Sequence, residues 1–220
     1  MQNLQKSLQK VNDKIIAPTK LLAVSKRKPL QMIEAAYELG QRDFGENHIL
    51  ELLEKSEKLK HLDIRWHMIG HIQSNKLNHL LKVKNLFAIH SIDSEKLLKK
   101  LLTKNVDSKI GLFLQVNISQ EEQKFGFSPK TNFKDMIELI NKHPDFFTQG
   151  FMGMSAIKTD NFVQDAHKAF RELRDLRNKY NKLLALKLQL SMGMSSDFQI
   201  AMEYGSDWVR IGSDIFGQRE

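Results

Sequence analysis

The chain has 220 residues, of which 41% are hydrophobic and 27% are charged, so it is long enough for one large α/β domain or two small ones. It contains no cysteine, which excludes disulfides, thiolate catalysis and metal sites built from cysteine. The formal net charge of +8 would suit a polyanionic partner, but the lysines are mixed with acids on helical faces without interleaved aromatic residues, so we expect no nucleic-acid binding.

Apolar residues recur along the chain in two patterns, one typical of amphipathic helices and one typical of short buried strands. A helix is predicted first, over 3–16. The predicted strands are then 20–26, 42–46, 64–69, 85–90, 109–118, 147–153, 186–191 and 207–211, of which 109–118 is the longest. The predicted helices that follow them are 29–39, 47–60, 74–83, 94–104, 130–142, 160–181 and 196–204, with a last helical turn after Gly212.

This regular alternation of strand and helix predicts the fold. Strands that alternate with helices form parallel sheets, and eight such units with short connections close into a (β/α)8 barrel. The competing arrangement is an open doubly wound sheet, but no GxGxxG motif follows the first strand. No linker rich in Pro, Gly or Ser interrupts the pattern, so we expect residues 1–220 to form a single TIM-barrel domain of the α/β class.

The first predicted strand ends within the stretch LLAVSKRKP, residues 21–29. Because strand side chains alternate between two faces, Leu22, Val24 and Lys26 share one of them. If that face is the barrel interior, Lys26 is its last inward residue and reaches the mouth, where a partly desolvated amine can attack an aldehyde. The alternative is an ordinary solvated lysine just beyond a strand end.

Glycine and serine follow the last two predicted strands. SMGMSS comes after the seventh strand and RIGS ends the eighth, each directly before a helix. In many barrels these two loops bind phosphate together with a helix N-terminus. A phosphate cradle is therefore predicted from Ser191, Gly193, Gly212 and Ser213. The alternative is ordinary helix capping by Ser195 or Ser196 and by Ser213.

Arg210 lies on the eighth predicted strand, DWVRI. Val209 and Ile211 should face the helices, which leaves Trp208 and Arg210 inside the barrel. A buried arginine needs an acceptor, which is either a ligand's phosphate or ring nitrogen or an interior carboxylate. A lysine able to form a Schiff base, a phosphate cradle and an inward arginine together fit a phosphorylated aldehyde, and pyridoxal 5′-phosphate (PLP) is a cofactor of that kind.

The histidines do not indicate a metal site. His67 and His71 are four residues apart in WHMIGH, but this stretch is interpreted as strand and turn, whereas HExxH requires a helix and a glutamate. His67 is interpreted as an interior histidine or one at the edge of a ligand. A Ser/His/Asp hydrolase is not indicated either, because no GxSxG lies between a strand and a helix.

At this point the motifs match a known family. The sequence resembles the YggS/PROSC proteins, the pyridoxal phosphate homeostasis family. The stretches that carry the resemblance are LLAVSKRKP, FGENHILE, RWHMIGHIQSNK, SIDS, LQVNISQEEQKFGF, GFMGM, LSMGMSSDFQIAMEYGS and VRIGSDIFG. They occur in the same order as in the family and run from residue 21 to 217, which is nearly the whole chain.

The resemblance implies a barrel similar to the N-terminal barrel of alanine racemase, with PLP as its cofactor and an internal aldimine on Lys26. It implies that the SMGMSS loop, including Met192, and the RIGS loop hold the phosphate. Arg210 is the candidate for a position near the pyridine nitrogen. Asn47 and His67 line the pocket by the same implication.

Three further positions bear on how closely the resemblance holds. Lys124, in QEEQKFGF, matches a family lysine that is suspected of a secondary contact with the cofactor. His48 stands where a tyrosine is common in the family, and Ser155 stands where the GLM stretch usually runs into proline. These two departures lie away from Lys26 in the sequence and concern the rim of the pocket.

A carrier and an enzyme are both conceivable on this scaffold. A racemase needs a second acid/base group on the opposite face of the substrate, which in alanine racemases is a tyrosine from a partner's second domain. Here the chain ends soon after the eighth predicted strand, and Tyr37, Tyr180 and Tyr204 all fall on predicted outer helices. An arginine at the ring nitrogen would also weaken the ring as an electron sink.

We therefore expect a protein without enzymatic activity that holds PLP as a reversible lysine aldimine, buffers it and delivers it to apoenzymes. The alternative is a PLP-dependent amino-acid racemase or lyase. No apolar stretch is long enough to span a bilayer, and the polar N-terminus lacks the apolar region of a secretory signal. A cytoplasmic protein without membrane contact is expected, and we expect a monomer.

Overall fold

Eight parallel strands form a closed barrel in which each strand pairs with its neighbours in the chain and the last pairs with the first. The structure, a computed structural model, describes residues 2–119, 125–156 and 160–217. The strands are β1 (Lys20–Val24), β2 (Asp43–Glu46), β3 (Arg65–Met68), β4 (Leu86–Ile92), β5 (Ile110–Val116), β6 (Phe146–Gly153), β7 (Gln189–Ser191) and β8 (Trp208–Ile211). This topology confirms the predicted (β/α)8 barrel.

Helices surround the barrel and alternate with its strands. They are α1 (Gln2–Asn12), α2 (Leu30–Glu38), α3 (Ile49–Lys58), α4 (Leu77–Leu80), α5 (Glu95–Leu101), α6 (Lys134–Asn141), α7 (Phe162–Leu184), α8 (Phe198–Glu203) and α9 (Ser213–Phe216). A short 3₁₀ turn, Ser74–Lys76, directly precedes α4. Within the described ranges, no helix is both long and apolar enough to cross a membrane.

Two hydrophobic layers separate the inside of the barrel from its outer shell. The interior is filled by a small cluster consisting of Leu22, Ala88, Phe113, Met152 and Trp208. The larger core lies between the strands and the helices, and it includes Val209 and Ile211 of β8. The predicted division of β8 between an inner and an outer face is therefore confirmed, and it directs Arg210 inward as well.

The prediction that the fifth strand is the longest is wrong, because β6 has eight residues and β5 has seven. The predicted strand 109–118 ends at Val116, where the backbone changes partner. The amide of Asn117 donates to Phe127 O over 2.9 Å, and the amide of Phe127 donates to Gln115 O over 2.8 Å. Phe127 therefore pairs with the end of β5 at the mouth of the barrel.

The helix predicted over 130–142 begins later, at Lys134. The amide of Lys130 donates to Ser128 Oγ over 3.2 Å, and the amide of Lys134 donates to Asn132 Oδ1 over 3.1 Å. Local side-chain acceptors of this kind compete with helical hydrogen bonds, and they keep the segment before Lys134 in turns. Helical spacing of apolar residues does not reveal this competition.

Candidate functional site

Lys26 lies just beyond the carboxyl end of β1, on the inner side of the barrel. Leu22 belongs to the interior cluster and Val24 lines the cavity described below, whereas Leu21 and Ala23 belong to the outer core. This alternation is the predicted one, and it places the half-buried Lys26 at the barrel mouth. The chain turns immediately afterwards, because Arg27 has a left-handed φ of 59°.

A cavity of about 430 Å³ opens among the carboxyl ends of the strands. This volume lies within the range of roughly 300–1,000 Å³ that is usual for small-molecule sites. Its walls come from β1, β6, β8 and α9 and from the loops that follow β1, β2, β3, β6, β7 and β8. The lining residues are Val24, Lys26, Lys28, Asn47, Ile69, Met152, Met154, Met194, Ser195, Ser196, Arg210, Gly212, Ser213 and Gly217.

Arg210 forms part of the floor of this cavity and is only 5% exposed. Its Nη1 donates to Ser191 Oγ over 2.8 Å and its Nη2 donates to Gly153 O over 3.0 Å. Burial lowers the pKa of Arg210 to about 10, and the nearby carboxylate of Asp197 opposes that shift. The side chain is thus a cation at neutral pH. Neutral oxygens, rather than the interior carboxylate considered from the sequence, are its hydrogen-bond acceptors among the described residues.

Asn47 presents an unpaired acceptor in the same cavity. It follows β2, and its Oδ1 is buried without a hydrogen-bond partner among the residues that the structure describes. Gly70 fixes the backbone here, because a Cβ at position 70 would overlap Asn47 O. A buried acceptor without a partner is costly, so this oxygen is suited to receive a donor from a ligand.

The two predicted phosphate loops approach each other at the rim of the cavity. Ser213 Oγ donates to Ser195 Oγ over 3.1 Å, which joins the loop after β8 to the loop after β7. The loop after β7 is held in place by Asp197, whose Oδ1 accepts from the Met194 amide over 2.6 Å. Hydroxyl groups from both loops therefore face one region, as a phosphate site requires.

The predicted cradle and the observed cavity wall differ within the SMGMSS loop. Ser191 and Met192 are fully buried behind the wall, and Gly193 turns the chain with a left-handed φ of 94°. The residues of this loop that line the cavity are Met194, Ser195 and Ser196, and Gly212 and Ser213 line it from the loop after β8. A contact of Ser191, Met192 or Gly193 with a ligand stays a prediction. Ser191 instead accepts a hydrogen bond from the guanidinium of Arg210.

His67 lies in the interior of the barrel and does not line the cavity. Its Nε2 is 3.1 Å from Asp43 Oδ1, and its Nδ1 is 2.9 Å from His90 Nε2. The chain of hydrogen bonds continues from His90 Nδ1 to Ser191 Oγ over 2.8 Å, and so reaches Arg210. The interior alternative for His67 is therefore the observed one, and its implied contact with the cofactor stays a prediction.

Charges along this chain follow from burial. Burial lowers the pKa of both His67 and His90, in His90 to well below the usual histidine range, so both rings are neutral at pH 7. Burial alone would raise the pKa of Asp43, but hydrogen bonds from Arg65 and His67 outweigh it, and the pKa is lowered. The chain therefore runs from the cation of Arg210 to the carboxylate of Asp43 through neutral groups.

Several lining residues were not anticipated from the sequence. Lys28, Ile69 and Met154 line the cavity beside the predicted residues. Lys28 shares the inward parity of Lys26 in LLAVSKRKP, a signal that was available, whereas Ile69 and Met154 carry no chemical signature. Lys124 lies outside the described residues. In the described parts of the chain, no group of three or more His, Asp or Glu side chains is arranged to hold a metal ion.

A closed parallel barrel with a lysine at the end of its first strand and two serine loops opposite defines a class of ligand-binding barrel. The chain belongs to the family described as "Alanine racemase, N-terminal domain", whose profile matches residues 1–220, and within it to the pyridoxal phosphate homeostasis proteins. The resemblance found from the motifs is thereby confirmed.

Two curated relatives and one solved structure illustrate this membership. The pyridoxal phosphate homeostasis protein of Schizosaccharomyces pombe is 40% identical over 204 residues, which cover 90% of this chain and 84% of the relative. The human protein of the same name is 41% identical over 213 residues, which cover 91% of this chain and 77% of the relative. PipY of Synechococcus elongatus, solved with PLP bound, is 28% identical and superposes with a TM-score of 0.85 over 97% of this chain and 100% of its own.

Proposed function

We propose that this protein holds PLP reversibly at the barrel mouth through Lys26 and serves PLP homeostasis. One observation carries the proposal: Lys26, Arg210 and the joined serine loops line a single cavity. The names of the curated relatives and the PLP-bound structure of PipY support the same conclusion. We take residues 1–220 as one PLP-binding unit.

The residues of the cavity fit the chemical parts of PLP. Lys26 supplies an amine for the aldehyde, and Ile69, Met152 and Met154 supply apolar surface for the ring. The serine hydroxyls of both loops suit a phosphate, and Arg210 adds a buried positive charge whose guanidinium has only two hydrogen-bond acceptors among the described residues. Asn47 Oδ1 is a buried acceptor without a partner among the described residues, so it suits a hydrogen-bond donor of the ligand. The polar groups of the cavity therefore fit the aldehyde and the phosphate of PLP.

When bound, PLP supplies an aldehyde that joins amines reversibly and, in enzymes, a ring that accepts electrons. In this proposal, the chain's own residues bind and orient PLP. Lys26 forms the covalent link, the loops around Ser195 and Ser213 hold the phosphate, and Arg210 acts only as a donor because a guanidinium does not deprotonate at neutral pH.

The same residues support a carrier rather than a racemase or lyase. Tyrosine, histidine, aspartate and glutamate are all absent from the described lining, which leaves Lys28 and Arg210 as its only titratable side chains besides Lys26. The tyrosines are engaged elsewhere: Tyr180 OH accepts from the Phe133 amide over 2.8 Å, Tyr204 OH is 3.1 Å from His167 Nδ1, and Tyr37 OH accepts from the Asp63 amide over 3.3 Å.

The decisive experiment is the absorbance spectrum of the protein with PLP before and after borohydride reduction, followed by mapping of the modified lysine. We expect a visible band that reduction abolishes, with the label on Lys26, and no band in Lys26→Ala. Lys28→Ala is the matched control, because Lys28 lines the same cavity, and it should keep the band. A label on Lys28 instead would overturn the assignment of Lys26.

The proposal also has a cellular part. A monomer of this protein buffers free PLP in the cytoplasm by reversible capture and transfers it to apoenzymes. Loaded protein should activate an apo PLP enzyme faster than it releases PLP to buffer. Equal rates would reject direct transfer of PLP to the apoenzyme and leave storage of PLP as the function. Turnover of any amino acid well above that of free PLP, in a stereochemical assay, would overturn the carrier function.

A further inference from the structure

A buried cluster of charges lies directly behind the loop that carries Lys26. Its centre is Lys55 of α3, which is 6% exposed. Lys55 Nζ donates to Glu46 Oε1 over 2.8 Å, to Glu51 Oε1 over 2.6 Å and to Ser25 O over 2.9 Å. An ammonium has three donors, so all of them are used. Lys55 therefore ties together the end of β1, the end of β2 and the first turn of α3.

The two carboxylates of this cluster hold the residues on both sides of Lys26, one through a hydroxyl and the other through a backbone amide. Ser25 Oγ donates to Glu46 Oε1 over 2.7 Å, and the amide of Arg27 donates to Glu51 Oε1 over 2.5 Å. Arg27 has a φ of 59°, which is rare for a residue with a side chain and persists where the surroundings impose it. Residues 25 and 27 are thus fixed by side chains that meet at one ammonium.

Stability alone does not account for such a cluster. Taking ions out of water is costly, and well-packed apolar side chains often stabilise a fold as well or better. What charged hydrogen bonds add is direction, because each one fixes a donor and an acceptor along a line. Here these directional hydrogen bonds fix Ser25 and Arg27, the two residues that flank Lys26.

We propose that Glu46, Glu51 and Lys55 are positioning residues that set the loop of Lys26 for bond formation with the aldehyde. This inference rests on the proposed function. The amine nitrogen forms a C=N bond with the aldehyde carbon, two protons leave the nitrogen, and the carbonyl oxygen departs as water. The reaction needs the nitrogen at one place relative to a ring that is held independently by the phosphate, and small misplacements of reacting groups are costly.

The test compares covalent with non-covalent binding. The main variant is Glu46→Gln/Lys55→Met, which removes the two most buried charges together, whereas Glu51, which loses its ion pair with Lys55, is partly exposed to water. Its affinity for PLP should fall about tenfold or more, because a misplacement of about 1 Å can slow the reaction of a positioned group by roughly a hundredfold, and covalent binding depends on the same geometry. Its affinity for pyridoxine 5′-phosphate, which has an alcohol in place of the aldehyde, should stay within about twofold, because phosphate and ring contacts remain.

Lys58→Met is the matched control. Lys58 and Glu54 form an i,i+4 ion pair on the same helix with the same 2.6 Å distance, but both are exposed and do not contact the Lys26 loop. This variant should bind both ligands like the wild type. Hydrogen exchange adds a readout without ligand: peptides that contain Arg27 should exchange faster in the main variant and not in the control.

A gentler pair of variants covers the case in which the double variant does not fold. Glu51→Leu leaves the pair of Glu46 and Lys55 intact but removes the acceptor of the Arg27 amide, whereas Glu51→Gln keeps an oxygen there. We expect weakened covalent binding in the leucine variant and recovery in the glutamine variant.

Equal covalent binding in wild type, main variant and Glu51→Leu would overturn the positioning role and leave the proposed function standing. Parallel loss of PLP and pyridoxine 5′-phosphate binding would show a merely structural role and overturn it too. Failure of the wild type to react at Lys26 would instead reject the proposed function itself.

Discussion

Ser191 Oγ accepts a 2.8 Å hydrogen bond from Nη1 of Arg210 inside the barrel. The direction of the chain that continues from Ser191 follows from its far end, because the Asp43 carboxylate can only accept and the neutral His67 must therefore carry its proton on Nε2. His67 Nδ1 then accepts from Nε2–H of His90, and His90 Nδ1 accepts from the Ser191 hydroxyl. The carboxylate of Asp43 thus sets the tautomers of two histidines and leaves the Ser191 oxygen as the acceptor for Arg210.

Removing that hydroxyl should destabilise the fold. Ser191→Ala leaves Arg210 Nη1 and His90 Nδ1 without their partner in the interior, and an unsatisfied buried group costs about 1–3 kcal/mol. Urea unfolding should show a loss of about this size in the free energy of unfolding. Ser195→Ala, at a half-buried position in the same loop, is the control and should change it by less than about 0.5 kcal/mol. Equal effects would contradict the chain as described.

The buried histidines predict how stability depends on pH. Their pKa values are lowered by folding, so the unfolded state binds more protons below its own histidine pKa near 6.5. Their contribution is therefore fully present above about pH 6.5 and is lost as pH falls, by roughly 1.4 kcal/mol per pH unit for each histidine.

Urea unfolding at a series of pH values from about 7.5 down to about 5.5 measures this slope. His90→Gln should reduce the slope by about one proton, while His79→Gln, which changes an exposed histidine, should leave it unchanged. Identical slopes in both variants would show that His90 does not lose its proton on folding.

The serine loops should determine affinity for the phosphate group alone. Ser195→Ala/Ser213→Ala removes the two hydroxyls that meet at 3.1 Å, and we expect PLP binding to weaken about tenfold or more, since hydrogen bonds to a charged group contribute about 1.5–3 kcal/mol each. Binding of pyridoxal, which lacks the phosphate, should not change. Spectral titration with both aldehydes measures this, and an equal loss for pyridoxal would place the phosphate elsewhere.

Gly193 should not tolerate a side chain. Its φ is 94°, and a Cβ would approach Ala201 Cβ to 2.7 Å and Phe198 Cα to 2.9 Å. Gly40 has nearly the same φ, 97°, with nothing within 4 Å of the Cβ position, so Gly40→Ala measures backbone strain alone. We expect thermal unfolding to show a loss of about 1 kcal/mol for Gly40→Ala and clearly more for Gly193→Ala. Equal losses would mean that α8 moves away without cost.

The parts of the site that follow strand alternation were predictable. Leu22, Val24 and Arg210 face inward because alternation fixes every second residue once one face is buried, and this placed Lys26 at the mouth. Loops carry no such period. The turn at Gly193 therefore brings Ser195 rather than Ser191 to the cavity, and only the three-dimensional path shows it.

The interior network was beyond sequence reasoning for another reason. The chain from Asp43 through His67 and His90 to Ser191 joins residues from β2, β3, β4 and β7, whose hydrogen bonds span up to 101 positions in sequence. Each residue alone is ambiguous between surface and interior. The cluster around Lys55 was missed similarly, because Lys55 and the exposed Lys58 look alike on one helix until burial separates them.

Closure of the barrel by β1 and β8 has a consequence for how the protein is made. Leu22 and Arg210 are register partners, so the amine just beyond β1 and the guanidinium of β8 become neighbours only when the last strand docks. A polypeptide that has not yet incorporated β8 lacks Arg210 and the loop after that strand, which carries Ser213. The proposed PLP site is therefore complete only after the last strand has closed the barrel.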